Sequence, residues 1–324
     1  MRSGFKRKIA APATRMGKGL MRNFANLQEV TLWTSLDTKK KINKAIKAFN
    51  EEHGLELKLS KMIEGEWLNL KFPESVRILF VSDENTIVVA FRGTKSHKWW
   101  ETVINAIKDI RALLKHDLKF IGKDTAQKKK YRKIGVHRGF YNEYERYRDE
   151  IIKTVDRHRG KDLFVVGHSL GGALATLCSF DLAVHRKRQV NSYLYGAPRV
   201  GGLDFRKAYE KEVPNTFRYN IHDDPIAKIP PTMLFDRLDY RHVGKLLQLN
   251  PNGSQVPLNN IDVTLDASFA KDLKTLHKKE LYKKALARFM ADIDYNRVIG
   301  LKATADKERR LAKNWLLKRW VVSS

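Results

Sequence analysis

Along the middle of the chain, short apolar runs alternate with longer stretches of helical spacing. Leu163-Phe164-Val165-Val166 is brief, β-rich and flanked by polar residues, which predicts a buried parallel strand. Val76 to Val81 and Thr86 to Phe91 are two further runs, and Asp83-Glu84-Asn85 between them predicts a hairpin or an adjacent strand pair. Val190 to Tyr195 and Phe217 to Ile221 predict two more strands. The intervening pattern is helical. Lys39 to Glu52 sets Ile42, Ile46 and Phe49 on one face and stops at Gly54, Trp99 to Leu114 is amphipathic, and a charged helix runs from Phe140 to about His158. Strands alternating with helices predict an α/β fold with a mostly parallel central sheet and helices on both faces.

The ends of the chain are different. Residues 1 to 28 hold seven Lys or Arg and no acid before Glu29. Met16, Leu20, Phe24 and Leu27 share a helical face opposite Arg15, Lys18 and Arg22, which predicts a basic amphipathic segment suited to a membrane surface or to organelle transit. A disordered basic tail is the alternative. Asp266 to Met290 has helical spacing, and Asp306 to Val321 is a basic helix carrying Trp315 and Trp320. The expected organisation is a basic segment at 1–30, a catalytic domain at 31–295 and a basic helix at 296–324.

Composition narrows the class. A chain of 324 residues can bury a sizeable core, and no run reaches the ~18 apolar residues of a membrane span. The lone cysteine, Cys178, excludes an internal disulfide and suits a reducing, cytoplasmic setting with peripheral membrane contact. The formal charge of +27 attracts phosphates, whether of anionic lipid headgroups or of nucleic acid. Nucleic acid is the weaker reading, because the basic stretches lack interleaved aromatics and match no recognition motif. The ten histidines show no metal-ligand spacing, so neither metal nor cofactor is expected.

The chemistry sits just after the first strand described. Gly167-His168-Ser169-Leu170-Gly171 joins it to a run of small residues and leucines. Strand, sharp turn and helix form the setting in which Gly-x-Ser-x-Gly lifts a serine hydroxyl above a sheet edge. Such a hydroxyl becomes nucleophilic when an imidazole takes its proton and a carboxylate fixes the imidazole tautomer. On this fold the acid follows the serine and the histidine follows the acid. Asp223 and Asp224 end the strand from Phe217 and are both candidates. His242 and His277 are candidate bases that spacing alone does not separate, while His222 comes too early.

Six blocks in order make the chain similar to the class 3 (fungal-type) lipases of the α/β-hydrolase superfamily. They are Phe91-Arg92-Gly93-Thr94, Val136-His137-Arg138-Gly139-Phe140, the serine elbow with Gly172, Tyr195-Gly196-Ala197-Pro198-Arg199-Val200-Gly201, Asp224 to Pro231, and Tyr240-Arg241-His242-Val243-Gly244. The resemblance spans about residues 76–282. It implies Ser169 as nucleophile, Asp224 as the acid, and His277, with Tyr282 shortly after, as the base. Lys278-Lys279 after that histidine departs from the family pattern. Leu170, next to the nucleophile, would supply one oxyanion-hole N–H and Thr94 of the Arg-Gly-Thr block the other. Trp99 and Trp100 fall where family members carry a mobile lid.

The function so implied is hydrolysis of lipid carboxylic esters through an acyl-enzyme, as a triacylglycerol lipase or a phospholipase A1-like enzyme. The competing expectation is an inactive hydrolase scaffold that binds anionic membranes or nucleic acid.

Overall fold

In the computed structural model, the residues described are 24–67, 74–93, 114–115, 118, 129–230, 240–254 and 276–288. Two helices, α1 (Phe24–Trp33) and α2 (Lys39–His53), precede strands β1 (Lys58–Trp67), β2 (Glu74–Ser82) and β3 (Thr86–Phe91). Short strands β4 (Leu114–Lys115) and β5 (Val136–His137) lead to α3 (Arg138–Asp156) and β6 (Asp162–His168). Then come α4 (Leu170–His185), β7 (Val190–Tyr195), β8 (Gly201–Gly202), α5 (Leu203–Glu212) and β9 (Asn215–Ile221). Strands β10 (Tyr240–Arg241) and β11 (Lys245–Leu249) and a helix α6 over 279–288 complete the described part.

The large sheet has the order β1-β2-β3-β6-β7-β9-β11. The pairs from β3 through β11 are parallel, and β1-β2-β3 is an antiparallel meander at one edge. Between β2 and β3 the carboxylate of Asp83 accepts from the N–H groups of Asn85 (2.9 Å) and Thr86 (2.7 Å). That closes the turn as an aspartate commonly does and makes the pair a hairpin. A second small sheet, β10-β8-β5-β4, lies beside the first. Leu114, expected to end a helix, instead lies in β4.

Alternate side chains of the central strands serve two cores. Ile87, Val89, Phe91 and Val165 pack under α3, α4 and α5, whereas Val88, Ala90, Phe164 and Val166 pack under α1, α2 and α6. Helix α4 is buried over its whole length from Leu170 to Val184, which explains why its sequence is apolar on every side. Leu27, placed by periodicity on the apolar face of the basic amphipathic segment, is fully buried with Val30 and Trp33. The rest of that segment, with Met16 and Leu20, lies outside the described residues. No described helix is long and apolar enough to cross a membrane.

Candidate active site

Parallel strands β6, β7 and β9 end side by side at His168, Tyr195 and Ile221. At this edge an open α/β sheet places its ligands. Ser169 follows β6 with φ 58° and ψ −132°, a left-handed conformation that a residue with a side chain adopts only when its surroundings enforce it. They do so by close packing. A Cβ at Gly167 would stand 2.3 Å from the carbonyl oxygen of Gly171, so the strand can enter the helix this tightly only without side chains. The Ser169 N–H donates to the Tyr195 carbonyl at 2.9 Å, and its own carbonyl accepts from Gly172 at 2.8 Å. Its Oγ is buried and has no hydrogen-bond partner among the described residues.

Leu170 opens α4, so its N–H is one of the first-turn donors that a helix leaves unsatisfied, at the positive end of the helix dipole. Gly93, just after β3, lies against the same point, since a Cβ there would come within 3.2 Å of the Ser169 Cβ. Thr94 follows it in sequence but lies outside the described residues, as do Trp99 and Trp100.

The acid and the imidazole come from the far side. Asp224, 1% exposed, sits in the turn after β9. Its Oδ1 accepts from the Ile226 N–H at 2.9 Å, and its Oδ2 accepts from His277 Nδ1 at 2.7 Å and from the Tyr282 hydroxyl. That hydroxyl also accepts from the Ile221 N–H at 3.1 Å, which ties the end of β9 to α6. A carboxylate on Nδ1 selects the tautomer that leaves Nε2 as the basic nitrogen. Asp223, the other candidate acid, takes φ 64° and turns outward to Lys228 (3.0 Å) and His222 (3.3 Å).

Of the two histidines that sequence left open, His277 meets Asp224, and His242 Nε2 bonds to the Ala227 carbonyl at 2.6 Å. His222 bonds to Gln248 through Nδ1 at 2.8 Å. The imidazole of His277 stands over the elbow. Its ring centre is 4.6 Å from that of His168, the residue before Ser169. A Cβ at Gly196, next to the residue that anchors the Ser169 N–H, would reach 3.0 Å from His277 Cε1 and 2.8 Å from Asp224 Oδ2. Only glycine, here at φ 52°, leaves room for the pair.

Of three neighbours in this cluster, His168 and Lys279 were not evident from sequence as parts of it, while Tyr282 was expected only as an aromatic following the base. His168 has neither ring nitrogen bonded among the described residues, and burial, with the nearby His277 and Lys279, pushes its pKa well below the ordinary imidazole range. It is a neutral spacer beneath His277. The Tyr282 hydroxyl is buried against Asp224, which holds its pKa far above the usual phenol value. Lys279 turns inward rather than to solvent and donates to Ser35 Oγ at 2.5 Å. The double Lys after His277 hid this, because adjacent lysines ordinarily mark a solvated surface. Together these residues present an uncommitted hydroxyl, an imidazole with a fixed tautomer and a buried carboxylate at one sheet edge. That set can carry out acyl transfer.

Comparison with known proteins agrees with this architecture. Residues 88–234 match the family model described as Lipase (class 3). A chloroplastic galactolipase, DONGLE, of Arabidopsis thaliana is 27% identical over 227 residues, covering 64% of this chain and 46% of its own length. Phospholipase A1-II 5 of Oryza sativa subsp. indica is 28% identical over 209 residues, covering 59% and 44%. A secreted mono- and diacylglycerol lipase of Penicillium cyclopium is 33% identical over 148 residues, covering 43% and 47%. The chain thus spans about half the length of these relatives. A crystal structure of an MDLA mutant of Penicillium cyclopium superposes with a TM-score of 0.55 at 22% identity, covering 81% of this chain and 96% of that one. The Yarrowia lipolytica lipase LIP2 gives a TM-score of 0.55 at 22% identity, covering 70% and 78%. Residues 88–234 are thus similar to the class 3 lipases, and the chain has the α/β-hydrolase fold of solved fungal lipases.

Proposed function

We propose that the chain is a carboxylic ester hydrolase that cleaves lipid acyl esters through an acyl-enzyme. Ser169 is the nucleophile, His277 takes and returns its proton, and Asp224 orients the imidazole and stabilises the imidazolium. The observation that carries this reading is the 2.7 Å bond from His277 Nδ1 to Asp224, on an imidazole whose ring centre lies 4.6 Å from that of the residue before Ser169. In acylation Ser169 Oγ attacks the ester carbonyl while His277 accepts its proton, and the same imidazolium then protonates the departing alcohol. Water repeats the sequence to release the fatty acid. The Leu170 N–H and Thr94 are the proposed donors to the developing oxyanion, and Trp99-Trp100 the proposed lid over the site.

The substrate class follows from the relatives' names, which include phospholipase A1, a galactolipase and a mono- and diacylglycerol lipase. We take glycerolipids presented at a surface as the substrate. Three relatives are described as chloroplastic, in line with an organelle-directed role for the basic N-terminal segment. Surface charge supports an anionic interface. Lys129, Lys130, Arg132, Lys133, Lys207 and Lys211 line a groove of about 310 Å³ whose one acid is Asp204. Lys130 is paired with Glu212 at 2.6 Å, while no ion pair joins the other five to a described acid. The test uses wild type and Ser169→Ala on phospholipid vesicles, diacylglycerol emulsions and a soluble p-nitrophenyl ester. Wild-type turnover abolished in the variant supports the reading, and equal rates overturn it. Lys207→Glu/Lys211→Glu is expected to weaken sedimentation with anionic vesicles while leaving soluble-ester turnover intact.

A further inference from the structure

His277 lies in an irregular turn at 276–278, and the family match ends at residue 234. Its imidazole is fixed by Asp224, but its main chain needs support from elsewhere. A catalytic ring must be held within about 0.5 Å of its productive position, and residues on turns meet that demand only when their neighbours are locked.

That support comes from α1, which also lies outside the family match. Gln28 Nε2 donates to the Lys279 carbonyl at 3.1 Å, across 251 residues of sequence. Lys279 Nζ donates to Ser35 Oγ at 2.5 Å. One turn further along α6, Lys283 pairs with Glu29 at 2.9 Å. Beneath these contacts Leu27, Val30 and Trp33 share one apolar cluster with Tyr282, Ala285 and Leu286. The far end of α1 is not loose either. The Arg77 guanidinium, itself held by Glu64 on β1, donates to the carbonyls of Thr34 and Leu36 and so pins that end to β2. Keeping a lysine at this place is unfavourable in itself, since burial and the Arg92 guanidinium lower its pKa to about 8. A hydrophobic residue would have filled the space without that cost, but it could not reach Ser35.

We propose that α1 and the turn after it form a positioning element for the base: Gln28 and Ser35 grip Lys279, two residues beyond His277, and thereby set where its imidazole stands relative to Ser169. The proposal rests on the reading of Ser169, His277 and Asp224 as the triad. Gln28 and Ser35 touch no reacting atom and act only through the segment they hold. The grip also transmits any shift of α1 directly to the base.

The full-length chain is compared with Gln28→Met, Ser35→Val, their double variant and Ser35→Thr, which keeps the hydroxyl in the shape of valine. Turnover of a soluble p-nitrophenyl ester is read per folded protein, alongside the low-field proton resonance of the His277–Asp224 hydrogen bond. The double variant is expected to lose about 10- to 100-fold in kcat, as supporting partners of active-site groups typically do, with KM unchanged and the low-field resonance broadened. Ser35→Thr is expected to match wild type. Wild-type kcat in the double variant, or equal rates for Ser35→Val and Ser35→Thr, would overturn the proposal. Should the double variant fail to fold, the Ser35→Val and Ser35→Thr pair decides alone. Ser169→Ala separates the two ideas. If it is inactive while the Gln28 and Ser35 variants are normal, only the positioning role falls, and if it is active the triad itself falls.

Discussion

The two faces of the large sheet draw their helices from very different distances along the chain. The face under α3, α4 and α5 is assembled from residues 138–212, consecutive and inside the family match. The opposite face takes α1 and α2 from one end of the described chain and α6 from the other. Ser169 belongs to the first face through α4, and His277 reaches the same sheet edge from the second. The elbow is built in the first face, against the end of β3. In the proposed triad the site needs both faces, and the second then governs whether the hydroxyl becomes reactive.

Removing reacting groups should have the largest effects. On the proposed triad, Ser169→Ala and His277→Ala are each expected to lower kcat on the order of 10⁶-fold, and Asp224→Asn about 10⁴-fold, as in serine hydrolases of this logic. Circular dichroism melts of Ser169→Ala and Asp224→Asn should stay near wild type, because little volume is lost, whereas His277→Ala empties a buried ring site, strips a partner from Asp224 and should melt lower.

Stability should separate the faces next. On the first, Arg148 of α3 grips Asp181 of α4 at 2.7 and 3.0 Å, and Tyr144 donates to the same carboxylate at 2.6 Å. Arg148→Met leaves a buried carboxylate without its counter-ion, held by Tyr144 alone, and should cost about 3–5 kcal/mol in denaturant titration, with kcat per folded molecule retained. On the second, Tyr282→Phe strips a partner from both Asp224 and the Ile221 N–H. It should cost about 1–3 kcal/mol and also lower kcat roughly tenfold. Equal kinetic losses from the two substitutions would erase the distinction between the faces.

The smallest expected effect is in pH. Lys279 has its pKa lowered to about 8 by burial and by Arg92, against about 10.4 for an unperturbed lysine. Between those values the unfolded chain binds more protons than the native one, so stability should rise as pH increases through that window. Lys279→Met should flatten the rise in urea midpoints measured from about pH 7.5 to 10.5.

How much of this was legible follows the same division. The elbow, β3, β6 and β7 could be read because each is a contiguous pattern whose neighbours in space are neighbours in sequence. Asp224 could be narrowed only by resemblance, since Asp223 beside it has the same chemistry and only the backbone turn separates them. His277 stayed open against His242 because the contact that selects it spans 53 residues. Strand β1 was not visible, as Lys58, Lys61, Glu64 and Glu66 interrupt an edge strand that needs only modest burial. In α5 just Phe205 and Tyr209 are buried, too few to mark a helical face. Leu27 fell on a convincing amphipathic stripe, and periodicity does not say whether such a stripe meets lipid or protein.

The most direct test is labelling with a fluorophosphonate, followed by mapping of the modified peptide in wild type and in His277→Ala. The account predicts a single adduct on Ser169, formed rapidly in wild type and at least a hundredfold more slowly in the variant, on the scale of losing a general base. An adduct on any other residue, or labelling of Ser169 at the same rate without His277, would contradict it.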